Sequence, residues 1–88
     1  MDARNIKHVT ATGDITTLTA YLSEVVLTGG SDAASAVVKA GGSSGTTILT
    51  VKAAAGLTVA VPVTDVLCGA GIHVTLTGTA PACSVTYA

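Results

Sequence analysis

The feature that most constrains this chain is a two-residue rhythm. GIHVTLTG sets Ile72, Val74 and Leu76 against His73, Thr75 and Thr77 between two glycines. Successive side chains on a strand point to opposite faces, so this alternation builds a ribbon with one apolar side. The rhythm recurs: Leu57, Val59 and Val61 alternate with Thr58 and Ala60 before Pro62, which is expected to close that strand. Cys83, Val85 and Tyr87 alternate with Ser84 and Thr86, and TTILTVK sets Leu49 and Val51 opposite Ile48, Thr50 and Lys52.

Two segments also admit a helical reading. In DITTLTAYLSEVVLTGG, Ile15, Leu18, Leu22 and Val26 fit a helical stripe with Asp14 as its cap. The many β-branched residues in that segment are weak helix formers, and a strand from about Tyr21 to Thr28 is preferred. In GGSDAASAVVKAGGSSG, a helix from Ala33 to Ala40 would make barely two turns, whereas Ala34, Ala36 and Val38 alternate with Ser35, Val37 and Lys39. The glycines after it then serve as hairpin hinges.

With further strands expected from Ile6 to Thr12 and around Val66 and Leu67, the chain holds seven to nine short strands separated by glycine turns. That spacing predicts an all-β fold, a small β-sandwich of jelly-roll or Ig-like type with mostly antiparallel strands. Residues 1–12 are expected to form an N-terminal leader or arm with the first strand, and residues 13–88 a single β-sandwich domain.

An 88-residue domain buries only roughly 60–65% of the surface its unfolded chain would expose, and here only 2% of residues are aromatic, so Val, Leu, Ile and Ala must fill the core. Only 10% of residues are charged, against about 25% in an ordinary domain. No basic cluster exists to neutralise a run of phosphates, so nucleic acid is not an expected partner. A surface so poor in charge is weakly guarded against association, which favours a homo-oligomer or a place in a larger assembly. No apolar run approaches the ~20 residues needed to span a bilayer as a helix, so no membrane partner is expected. The polar start MDARNIKHV does not resemble a secretory signal, and synthesis in a cytoplasm would leave Cys68 and Cys83 as thiols. A single disulfide between them stays open at this point.

No residue pattern carries chemistry. GGSSGTT lacks the lysine and spacing of a phosphate-binding loop. His8 and His73 lie on polar strand faces and, with Cys68 and Cys83, show no metal-ligand spacing; solvent or an interface is their expected surrounding. Asp14, Glu24, Asp32 and Asp65 fall at turns or on polar faces with no carboxylate pairing. Tyr21 and Tyr87 read equally as contact residues or as core-edge tyrosines. The expectation is therefore no enzyme, no catalytic, cofactor-binding or metal residues, and no cofactor.

Taken in order, VTATG, YLSEVVLTGGSDAASAVVKAGGSSGTTILTVKAAAG and GIHVTLTGTAPACSVTYA give the chain from Val9 to Tyr87 a resemblance to small bacteriophage virion structural proteins of β-sandwich type. These include capsid decoration (cement) proteins and tail or fibre parts. The resemblance implies location in a virion made in a host cytoplasm, and binding to the major capsid protein or other virion proteins. It also implies a homo-oligomer, with a trimer favoured, that bridges capsid subunits through apolar contact and strand-edge hydrogen bonds. Cys68 and Cys83 depart from the pattern. The alternative roles are a tail, neck or fibre component, or a host-surface glycan-binding module.

Overall fold

The computed structural model describes residues 4–88 and is all-β among them. Eight strands follow one another: β1 (Asn5–Val9), β2 (Gly13–Thr16), β3 (Ala20–Thr28), β4 (Ala34–Ala40), β5 (Thr46–Ala53), β6 (Thr58–Cys68), β7 (Ile72–Thr77) and β8 (Ala82–Tyr87). They form two four-stranded sheets, ordered β1-β8-β3-β6 and β2-β7-β4-β5, in which every pairing is antiparallel. The small β-sandwich expected from the strand rhythm is the observed architecture.

The alternation places the core. Leu22, Val25 and Leu27 of β3 and Cys83 and Val85 of β8 turn inward from one sheet. Ala34, Ala36 and Val38 of β4, Val51 and Ala53 of β5, and Ile72 and Val74 of β7 meet them from the other. Both segments that admitted a helix are strands: β3 alternates on either side of an irregularity between Leu22 and Glu24, and β4 turns back into β5 through the Gly41–Gly45 hairpin. The Ala and Val side chains of β4 lose less by pairing in a sheet than they would in a two-turn helix with no packing partner.

Three boundaries differ from the sequence reading. The first expected strand stops at Val9, because the chain there crosses from one sheet to the other and starts β2 at Gly13. Thr12 marks the crossing: its Oγ1 accepts from Leu76 N at 2.9 Å and so replaces one backbone partner at the β7 edge. Pro62 does not end its strand. β6 is an edge strand, where a residue without an N–H is tolerated, and it runs on through Val66 and Leu67, the piece expected to be separate. The continuation passes an irregularity: Leu22 pairs with Val66 but Glu24 with Pro62, and Asp65 sits at φ 40°.

The start of the expected arm, residues 1–3, lies outside the described residues. Asn5–Val9 is the edge strand of its own sheet, paired to β8 from Asn5↔Tyr87 to Val9↔Cys83. Lys7 extends from β1 to donate to the Asp14 carbonyl of β2 at 3.2 Å, joining the two sheets at that edge.

Gly71, before β7, is required twice over. Its φ of 104° is a left-handed value that side chains disfavour, and a Cβ there would stand 2.3 Å from the Thr16 carbonyl oxygen. Gly13 has open space and no such φ. Gly71→Ala should therefore destabilise the protein by about 1–3 kcal/mol or more, while Gly13→Ala should shift stability by no more than about 0.5 kcal/mol. Urea denaturation of the two variants checks this, and equal midpoints would contradict it.

Candidate functional site

Polar side chains gather at three places. The first is one end of the β1-β8-β3-β6 sheet, where Ser23 is the extra residue of β3 against β8 and residues 63–65 of β6 bulge opposite it, with Asp65 left-handed, so that Ser23 and Asp65 meet. Arg4 Nη1 donates to Asp65 Oδ1 at 2.9 Å and also to Ser23 Oγ, and Ser23 Oγ donates to Asp65 Oδ1 at 2.8 Å. The Arg4 hydrogen bond first, and then that of Ser23, hold the Asp65 carboxyl below its ordinary value. Arg4, Tyr21, Asp65 and Ala88 line an open depression of about 210 Å³. Both partners of the ion pair are about half exposed, and water screens such a pair so that it adds little to stability. Its geometric effect is larger: Arg4 reaches from one edge of the sheet to the other and holds the chain ahead of β1 against β6.

Tyr21 and Leu67 are cross-strand partners beside this depression, both exposed, and Leu18 stands out from the preceding loop at the same end. Thr19 Oγ1 fixes that loop by donating to Gly69 O at 2.7 Å. Tyr87, in contrast, packs its ring against the core. The two tyrosines thus divide, one to a surface and one to the core edge.

The second place is His73. Its side chain is on the outward phase of β7, as the alternation predicts, but the expectation of solvent around it fails: the residue is only 6% exposed. Its neighbours in register are Asp14 on β2 and Lys39 on β4. His73 lies in the middle of the sheet, with flanking strands on both sides and the Thr16–Thr17 backbone pressed against Gly71 close by. Nδ1 and Asp14 Oδ1 are 2.8 Å apart. An ionised carboxylate can only accept, so Nδ1 carries the hydrogen and the ring is oriented by Asp14. Nε2 is buried and has no hydrogen-bond partner. A carboxylate–imidazole pair of this kind orients a base where a substrate can reach the second nitrogen. Here that nitrogen faces packed protein, and the pair ties β2 to β7.

The third place is the outer face of the β1-β8-β3-β6 sheet, where exposed His8 Nδ1 lies 2.9 Å from Ser84 Oγ of the adjacent strand. No three His, Cys, Asp or Glu side chains among the described residues are grouped to hold a metal ion. Of the remaining acids, Asp32 accepts from Thr79 Oγ1 at 2.8 Å and so clamps the β3–β4 turn to the β7–β8 turn, and Glu24 stands on the outer face with His8.

Cys68 and Cys83 are buried free thiols. Cys68 pairs with Ala20 and Cys83 with Leu27, at opposite ends of β3, which at about 3.3 Å per residue separates them by roughly 20 Å. A disulfide needs Cα atoms within about 7 Å, so none can form between them in this fold. Burial raises the Cys68 thiol and pushes that of Cys83 up to about 11.

No helix among the described residues is long and apolar enough to cross a membrane. No protein-family model matches the chain, and neither does any curated protein or solved structure.

Two predictions follow from these groups. Asp14→Ala leaves the buried Nδ1 without its acceptor and should destabilise the protein by about 1–3 kcal/mol, an effect that shrinks in a His73→Leu background where nothing is left unpaired. A double-mutant cycle by denaturation with no coupling would contradict the pair's role. Unfolded thiols ionise near about 8.5, whereas Cys83 keeps its proton to about 11 when folded. Between these values the unfolded chain binds fewer protons, so stability is full below the lower pKa and falls as pH rises toward the higher one. Cys83→Ala should show a shallower alkaline decline in urea midpoint than the wild type, and identical slopes would contradict the assignment.

Proposed function

We propose that this chain is a structural component of a bacteriophage virion, a decoration protein that binds capsid subunits and stabilises them. The observation that carries the reading is a thin sandwich, 16 Å through its short axis, in a chain of which only 10% of residues are charged. Its sequence resemblance to phage structural proteins points the same way. Ala and Val fill much of the core, and a small domain of that kind gains stability when a neighbour covers further surface. Exposed Ile6, Leu18, Leu57 and Leu67 supply apolar area for such neighbours. The polar constellations described above support a mechanical role, because each ties one strand or turn to another.

Binding through faces fits the chain better than binding through strand edges. β2 is short and bulged, β5 carries Lys52, β6 carries Pro62 and the Asp65 irregularity, and β1 carries Lys7. Each of these is a recognised way of blocking strand addition.

The test is position in the particle. Purified virions should contain the protein on the capsid shell, seen by immunogold labelling, and particles lacking it should lose their genome at a lower temperature. Label confined to the tail, neck or fibres would overturn the decoration role in favour of a part of those structures, and absence from the particle would overturn both.

A further inference from the structure

We propose that the depression lined by Arg4, Tyr21, Asp65 and Ala88 is a subsite for one uncharged sugar ring, a pyranose unit of a glycan. Two observations besides its shape mark it as a site. The strands beneath it are both bulged at this level, and Asp65 keeps a φ of 40°, which a residue other than glycine holds only where the surrounding structure imposes it. Strain of this kind aims a side chain, and here it aims a carboxylate. The second observation is Tyr21. The chain has no Phe or Trp and Tyr87 packs against the core, so Tyr21, 48% exposed, is the aromatic ring that the surface presents, and it stands at this depression.

The chemistry of the lining selects the ligand. Arg4 and Asp65 match each other's charge through their 2.9 Å contact, so neither an anion nor a cation finds an unopposed partner here. What Asp65 retains is acceptor capacity: the bonds from Arg4 and Ser23 both end on Oδ1, and Oδ2 accepts from no described residue. A hydroxyl is the neutral donor that suits it. Tyr21 supplies the other half, because the electron-rich face of its ring attracts the polarised C–H bonds along one side of a pyranose while hydroxyls at the sugar's edge reach Asp65. At about 210 Å³ the depression is smaller than the roughly 300 Å³ of the smallest drug-sized pockets, room for a single ring with the rest of a glycan in solvent. The site is also preformed. Tyr21 N donates to Ala88 O and Ala88 N to Tyr21 O, each at 2.9 Å, and Arg4 and Ser23 hold the carboxylate, so little has to be ordered on binding. This proposal does not rest on the virion reading.

Amide ¹H–¹⁵N spectra of the full chain, titrated with the methyl glycosides of glucose, galactose, mannose and N-acetylglucosamine, test it. At least one glycoside should shift the amides of Tyr21, Ser23, Asp65 and Leu67 saturably, and acetate and inorganic phosphate at the same concentration should leave them in place. Tyr21→Ala should weaken binding by roughly tenfold or more and Tyr21→Phe by no more than about threefold, because the ring and not its hydroxyl makes the contact. Asp65→Asn, a side chain that also tolerates a left-handed φ, should weaken it as Tyr21→Ala does, and Thr50→Ala on the opposite sheet should change nothing. If Asp65→Asn disturbs the bulge, seen as amide shifts spread along β3 and β6, the two Tyr21 variants decide the test by themselves. No response to any of the four glycosides, a response to acetate or phosphate in their place, binding unchanged in Tyr21→Ala, or movement of these amides with protein concentration alone would each overturn the site. None of these outcomes depends on whether the protein is found in a particle.

Discussion

Two sheets closing over a core without Phe or Trp is the constraint on which the rest of this structure depends. Large side chains are concentrated on β3, with Leu22, Val25 and Leu27 wholly buried, and the facing strands β4 and β5 answer with Ala34, Ala36, Val38, Val51 and Ala53. Large against small lets the layers interdigitate at native density, and each buried methyl group matters because there are few of them. The phase of β3 is a consequence: its bulge at Ser23 lets Leu22 before it and Val25 and Leu27 after it all face inward, and a one-residue slip would carry these leucines to solvent.

Closing the sandwich also fixes where the chain must be glycine or polar. Where the chain passes from one sheet to the other around Gly29–Gly30, backbones approach too closely for a side chain: a Cβ on Gly30 would stand 2.1 Å from the Thr79 carbonyl oxygen. Asp32 joins the same two turns from the side through Thr79. His73 is the exception in the packing, a polar ring within a β-sheet whose one unpaired nitrogen is buried. Retaining it is a stability cost of order 1–3 kcal/mol relative to a satisfied group, partly offset by the orientation that the Asp14 bond imposes on β2. Without that bond, the four-residue edge strand would rest on its short pairing with β7, the Lys7 contact and buried Ile15.

Much of the fold was legible in the sequence because strand periodicity is a local signal. Ile72–Thr77 and Ala82–Tyr87 are strands where the alternation puts them, and the hairpin between β4 and β5 follows from its glycines. What escaped were features set by tertiary position. Pro62 reads as a terminator, yet at a sheet edge its missing N–H faces outward and the strand continues. His73 reads as a surface residue from its phase alone; that β7 is an inner strand flanked by Asp14 and Lys39 is knowable only from strand order. The Arg4–Ser23–Asp65 cluster joins residues 61 positions apart through a bulge, and no spacing rule anticipates it. The separation of Cys68 from Cys83 was likewise open until their partners on β3 were placed.

Natural sandwiches guard their edges against unwanted contact, and this one does so at each edge. All four edge strands carry a lysine, a proline, a bulge or a short length. Such protection suppresses open-ended strand addition, which would give fibres, so a neighbour of this chain is left the faces and turns to meet.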